Sequence, residues 1–198
     1  PIKDFAPITG VTKNPHVLVI RSSLPVQSLK AFIDYGKANP DKLNFGAGNT
    51  GAIGNAALLM GHGGFKAVSV TYKSPPQAVL DLVAGRVDFT TIDYFVVAEQ
   101  IRSGQLRALG VTSTTRIKAL PDVPAMTESL PGFEVTAWVA LFAPAATPRA
   151  MIDALDREMT AVLSDPALAG RFEELGATPR IRRPAELAGF VAAEIAKW

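Results

Sequence analysis

The sequence predicts an α/β protein. Three observations carry this: β-branched runs alternate with amphipathic stretches between His16 and Thr112, the connections between them are short, and Gly or Pro punctuates almost every boundary. Such alternation implies mostly parallel strand pairing with helices on both faces of the sheet. With 198 residues, 48% hydrophobic and 19% charged, the chain can form one large domain or two small ones rather than a disordered segment.

The elements follow in order. His16 to Arg21 is a continuous β-branched run ending before Ser22, Ser23 and Pro25, the pattern of a buried strand. Ser28 can cap a helix whose Leu29, Phe32 and Ile33 share one face, and Asn39-Pro40-Asp41 stops it. Lys42 to Phe45 is a strand that runs into Gly46-Ala47-Gly48-Asn49-Thr50-Gly51, and an Ala- and Leu-rich helix follows to Gly61. Ala67 to Tyr72 is the next strand. Pro75 and Pro76 suit the first turn of a helix over Gln77 to Ala84, with Gly85 at its end. Val87 to Ile92 is a strand, Tyr94 to Ser103 a helix closed by Gly104, and Leu106 to Thr112 a strand.

From Ser113 to Phe133 the pattern breaks into a loop holding Pro121, Pro124 and Pro131, after which Val135 to Ala143 is a long apolar strand. Three helices complete the chain: Pro148 to Leu163 with Thr147 as cap, Pro166 to Leu175 stopped by Gly176, and Pro184 to Trp198. Met151, Ile152, Leu155, Met159 and Val162 form the expected core face of the first of these, while Asp153, Asp156 and Glu158 read as its solvated side. The sequence opens in mid-fold, since Pro1 to Thr9 shows neither a leader nor a helix cap, and the last helices have little sheet of their own. An N-terminal portion completing a second sheet is therefore expected beyond Pro1. Without it, the expectation is impaired folding or self-association through an uncovered apolar face.

Composition removes several function classes. No stretch reaches the roughly 18 apolar residues of a membrane helix, so the chain is not expected to span a membrane. Zero cysteines exclude disulfides, thiolate metal sites and cysteine nucleophiles. The net charge of +2, from 20 basic and 18 acidic residues, has Arg180, Arg182 and Arg183 as its one tight basic cluster, too little for a nucleic-acid footprint. The two histidines, His16 and His62, open a strand and end a helix outside any recognisable catalytic motif, and both read as structural.

The glycine loop admits two readings. Gly46, Gly48 and Gly51 match G-x-G-x-x-G between a strand and a helix, as a dinucleotide site requires. That fingerprint also wants an acidic residue about 20 positions on, yet no Asp or Glu occurs between Asp41 and Asp81. Lys73 at the next strand end keeps an NADP-dependent oxidoreductase open as the alternative. Equally, free N–H groups at a helix N-terminus suit a carboxylate. Asp93, at the carboxyl end of a strand, reads as a ligand hydrogen-bond acceptor or as a helix N-cap. Tyr72 and Lys73 share that sheet edge, and Trp138 reads as a pocket wall or plain core.

Several segments resemble the Bug/TctC receptors, the extracytoplasmic solute receptors of tripartite tricarboxylate transporters: Lys3 to Ile8, Ala38 to Gly46, Gly104 to Leu109 with Thr112-Ser113, Leu120 to Pro124, Leu130 to Glu134, and Ala143-Pro144. The resemblance runs in order along essentially the whole chain. It implies a type II periplasmic-binding-protein fold of two α/β lobes joined by crossing strands. Residues 23–134 would be lobe two, and residues 1–22 and 135–198 part of lobe one. It further implies a periplasmic receptor that closes on a small carboxylate and hands it to membrane components of the transporter, without catalytic residues or a cofactor. A ligand-sensing regulatory domain of the same fold is a further alternative. By the resemblance, ligand contacts fall on Ala47, Gly48, Asn49, Thr50, Gly51 and Ala52, partly through water, and on Asp93 as the aspartate of an Asp-Asn pair. Tyr94 replaces the usual asparagine, which narrows the pocket or adds an aromatic wall, and Tyr72-Lys73-Ser74 departs from the usual Tyr-Lys-Gly.

Overall fold

A computed structural model describes residues 2–197; Pro1 and Trp198, the ends of the expected opening segment and of the last helix, lie outside them. The described chain forms two compact units, one of Pro15–Ala137 and one made by the residues up to Asn14 together with those from Trp138 onward.

The larger unit is built on a five-stranded sheet in the order β3-β2-β4-β1-β5, where β1 is Phe5–Arg21, β2 Asn44–Ala47, β3 Val68–Thr71, β4 Phe89–Asp93 and β5 Leu106–Val111. Pairing is parallel between β2 and both β3 and β4. It is antiparallel between β1 and both β4 and β5. The mostly parallel expectation is thus corrected at one place: β1 runs against its two neighbours, with a register shift between Leu18 and Val19. The other four strands share one direction, because a helix returns the chain to the same edge after each.

Both faces of the sheet are covered. Leu18, Ile20, Phe45, Phe89 and Leu109 pack under α1 (Leu29–Ala38) and α2 (Thr50–Gly63). Val17, Val19, Ile92 and Val111 pack under α3 (Pro75–Val83) and α4 (Tyr94–Arg102). The period-two alternation of Val17 to Ile20, all with no exposed surface, is what a strand buried on both faces requires. The Ser28 cap is as expected, its hydroxyl accepting from the Ala31 N–H, whereas α2 ends on Gly64 at φ +67, the left-handed conformation glycine favours. Helix α2 therefore runs past Gly61.

In the smaller unit, β6 (Thr136–Pro144) and the two-residue β7 (Thr178–Pro179) both pair with β1. Strand β1 begins well before His16, since Pro7, Gly10 and Pro15 interrupt the β-branched pattern without interrupting the ladder. Helix α5 (Arg149–Leu163) corrects three expectations. Pro148 rather than Thr147 is its cap residue, with no side-chain cap bond. Its buried line is Ile152, Asp156 and Leu163, whereas Met151, Leu155 and Val162 are exposed. Asp156, expected in solvent, is 1% exposed and accepts an ion pair from Arg183 Nε at 2.6 Å. Helix α6 (Pro166–Glu174) starts at an Asp165 cap, and α7 (Pro184–Lys197) places Phe190 against Trp138 and under the Arg182 guanidinium at 3.8 Å.

Phe89 has no exposed surface and meets Phe32, Phe45 and Phe65 at ring distances of 5.0, 5.6 and 6.5 Å. Phe89→Ala is expected to destabilise the chain by about 3–5 kcal/mol, read as a lower midpoint in denaturant unfolding.

Candidate functional site

The topology gathers the expected site at one edge of the five-stranded sheet. Strands β2 and β4 are parallel with Phe45 beside Phe89, so both end on this edge, β2 at Ala47 and β4 at Asp93. Strand β1 arrives in the opposite sense and sets His16 opposite Asp93. Helices α2 and α4 start here, directing their N-terminal dipoles to the same edge.

The glycine loop has local packing reasons for two of its glycines. A Cβ on Gly46 would lie 3.1 Å from Ala78 Cβ and 3.6 Å from the Tyr72 ring. A Cβ on Gly48 would lie 2.5 Å from the Pro75 backbone, so the chain passes directly against the start of α3. A dinucleotide site keeps its second glycine open for the pyrophosphate; at Gly48 that side is filled by Ser74 and Pro75. The open part of the loop comes next. Asn49 caps α2, its Oδ1 accepting from the Ala52 N–H at 2.8 Å, and the Asn49 carbonyl takes the Ile53 N–H. The N–H groups of Thr50 and Gly51, both exposed residues, have no intrahelical acceptor and are the turn's donors for an anion.

Asp93 makes no side-chain cap bond to α4. Its Oδ1 lies 3.7 Å from His16 Nε2, with side chains 23% and 5% exposed respectively. On the other side of the ring, His16 Nδ1 meets the amide nitrogen of Asn55, a buried residue of α2. With the Asn55 amide in this orientation its N–H donates and Nδ1 accepts, which places the neutral ring's proton on Nε2, toward Asp93. The ring edge also touches the loop, since a Cβ on Gly51 would stand 3.2 Å from His16 Cε1. The strand is pinned here by Thr112, whose hydroxyl accepts the His16 N–H at 2.9 Å. Burial pushes the His16 imidazole below its ordinary value of 6.5, and the nearby Asp93 charge pulls it back only in part.

The remaining expected residues are placed differently. The Tyr72 hydroxyl donates to Asp81 Oδ2 at 2.9 Å, and Asp81 also pairs with Arg86 at 2.6 Å, so the tyrosine's polar end is engaged on α3. Lys73 is exposed. Tyr94 is 4% exposed and belongs to the core on the α3 and α4 face. Sequence reasoning missed His16 and Asn55 as members of this cluster. The available sign was Asn55, the one polar side chain between Ile53 and Met60.

With this geometry in place, comparison with known proteins identifies the class. The model of the tripartite tricarboxylate transporter receptor family matches residues 1–198, and the chain belongs to this family. Among solved structures, a Rhodopseudomonas palustris protein, Rpa4515 with adipate, superposes with a TM-score of 0.93 at 29% identity, over 98% of this chain and 66% of that one. The periplasmic binding protein BugD gives 0.88 at 31%, over 98% and 67%. MatC from Rhodopseudomonas palustris, with bound malate, gives 0.87 at 30%, over 98% and 68%. The fold is that of these α/β binding proteins. The chain spans 53–61% of the length of three of the curated relatives that it matches at 32–35% identity.

Two outcomes follow from the geometry. Gly48→Ala is expected to lower the melting temperature, because its methyl group meets backbone rather than a movable side chain; an unchanged melting curve would show that the loop has slack. The depressed imidazole also has a pH consequence: the unfolded state binds the His16 proton more readily than the folded one, so stability is complete above about pH 6.5 and declines as pH falls through that value. His16→Gln is expected to flatten the decline. A separate loss follows at lower pH, as the Asp81 carboxyl, held below its ordinary value by Arg86 and then by Tyr72, takes up its proton.

Proposed function

We propose that this chain is the greater part of a periplasmic solute receptor that captures a small organic carboxylate by closing two lobes and delivers it to a tripartite transporter in the membrane. One observation carries the reading: the open first turn of α2 and the uncapped Asp93 meet at one sheet edge. The Thr50 and Gly51 amides supply donors for an anion. Asp93 supplies an acceptor for a hydroxyl, an ammonium or a water beside it. The adipate and malate held by related structures are both carboxylates, as the amide donors require, with the malate hydroxyl able to meet Asp93 directly and adipate only through a water, and the family is one of receptors. Among the described residues no helix is long and apolar enough to cross a membrane.

In this reading residues 23–134 correspond to one lobe, with residues 1–22 and 135–198 contributing to the other. Ala47 to Ala52 and Asp93 make the direct contacts, the Tyr72 ring and Tyr94 shape the floor, and exposed Lys73 adds long-range attraction for an anion. The oxidoreductase alternative is disfavoured by the filled space at Gly48.

A thermal-shift screen against small carboxylates, with NADP(H) included, tests the proposal. The expected result is a melting temperature raised by several degrees with one carboxylate class, since selective binding to the native state stabilises it. Asp93→Asn should weaken that ligand by about tenfold or more, the loss of one charge-assisted hydrogen bond. Stabilisation by NADP(H) alone would reject the receptor.

A further inference from the structure

We propose that His16 is the proton-accepting member of this site, so that capture of a carboxylate at the first turn of α2 is accompanied by uptake of one proton onto its imidazole. This rests on the receptor reading and adds a residue and a linked equilibrium to it.

In the ligand-free chain the ring is neutral. Its one N–H, on Nε2, faces Asp93 at 3.7 Å, too long for a hydrogen bond but close enough for strong Coulomb coupling in a buried setting. Asp93, from β4, is the charged group acting on the ring. Its other neighbours, Asn55 and Gly51 from α2 and Thr112 after β5, are neutral. Burial and one carboxylate are therefore opposed, and burial prevails.

A bound carboxylate changes that balance. The loop that would hold it lies directly on the ring, with the Gly51 Cβ position 3.2 Å from His16 Cε1. The ligand's negative charge thus joins that of Asp93 on the same imidazole, and a second nearby anion favours the charged form. Two carboxylates close together are also mutually repulsive, and a proton between them removes that penalty.

The second N–H can gain an acceptor from Asn55. Asn55 Oδ1 is buried and makes no hydrogen bond among the described residues. Turning the Asn55 amide over brings Oδ1 to Nδ1–H and releases Nδ2, which can no longer donate there. The proton comes from a buffer acid in the solvent, and no bond of the ligand is made or broken.

Calorimetric titration of the 198-residue chain with malate and with adipate, in buffers of different ionisation enthalpy, measures the proton count. Uptake approaching one proton per ligand is expected, with affinity falling by up to about tenfold per pH unit as pH rises above the depressed value of the free imidazole. His16→Gln should abolish both effects while His62→Gln, at an exposed ring against Phe133, leaves them intact. Should His16→Gln fail to fold, ring nitrogen NMR of the unaltered chain decides, because its two histidines are readily told apart: His16 must become imidazolium at saturation. Binding without proton uptake, or with His16 still neutral, overturns the inference and leaves the receptor standing. Binding of neither acid overturns the inference, while the receptor reading is decided by the thermal-shift screen.

Discussion

Strand β1 is the constraint on which the rest of the larger unit depends. Its neighbours β4 and β5 both run against it, and Val17 to Ile20 are sealed between helices on each face. Every other strand in that sheet is delivered by a helix and shares one direction. A strand of opposite sense therefore brings the beginning of its run, not its end, to the edge where β2 and β4 finish. That inversion is why a residue from the start of the chain stands beside a residue near its middle, and it is how His16 reaches Asp93. Moving β1 by one residue would exchange its two faces, placing the Leu18 set against α3 and α4. The pinning bonds on either side of Val17 to Ile20 oppose such a slip, with Thr112 holding His16 and Asp88 holding Arg21 at 2.8 Å.

The glycine loop shows how one sequence pattern can serve two physical purposes. Close approach of backbone to a pyrophosphate and close approach of backbone to a neighbouring helix both demand a missing Cβ. At Gly46 and Gly48 the neighbour is α3, through Ala78 and Pro75. The requirement for small residues is thereby met inside the fold, and the anion-binding capacity resides in the peptide groups that follow rather than in the glycines themselves. Asn49 sharpens this, since by capping Ala52 it fixes the turn whose earlier amides face outward.

The strands, helices and faces of the larger unit were legible because each rests on local patterning: the two-residue period of His16 to Arg21, the Ser28 cap, the glycine ends. What was hidden is non-local. The antiparallel sense of β1 cannot be read from alternation, because period two is the same in either direction. The first half of β1 carries Pro7 and Gly10, which break the β-branched pattern that would have marked it as strand. On α5 the periodicity was visible but its phase was not. Apolar residues occur on more than one side, and the buried line includes Asp156, which pairs with Arg183. The expected contacts at Ala47 to Ala52 and Asp93 lie on one edge because strand ends were readable. The parts of Tyr72 and Tyr94 depended on side-chain direction, which Asp81 and the core decide.

The electrostatics of this edge set the terms for any ligand. An anion site that contains an aspartate is self-defeating if charges are simply counted, since the helix dipole attracts what Asp93 repels. The opposition resolves if the two act on different atoms. Amides of the turn take the carboxylate, while the aspartate accepts from a donor elsewhere on the same molecule or from a water next to it. Such a division of labour rewards a ligand carrying both features and penalises a bare anion, which leaves Asp93 facing like charge in a partly buried place. Specificity would then come less from the shape of the glycine loop than from the distance between that loop and Asp93, a distance set by the pairing of β2 with β4. Because His16 borders both the loop and the aspartate, its charge changes how severely a bare anion is rejected without moving either partner.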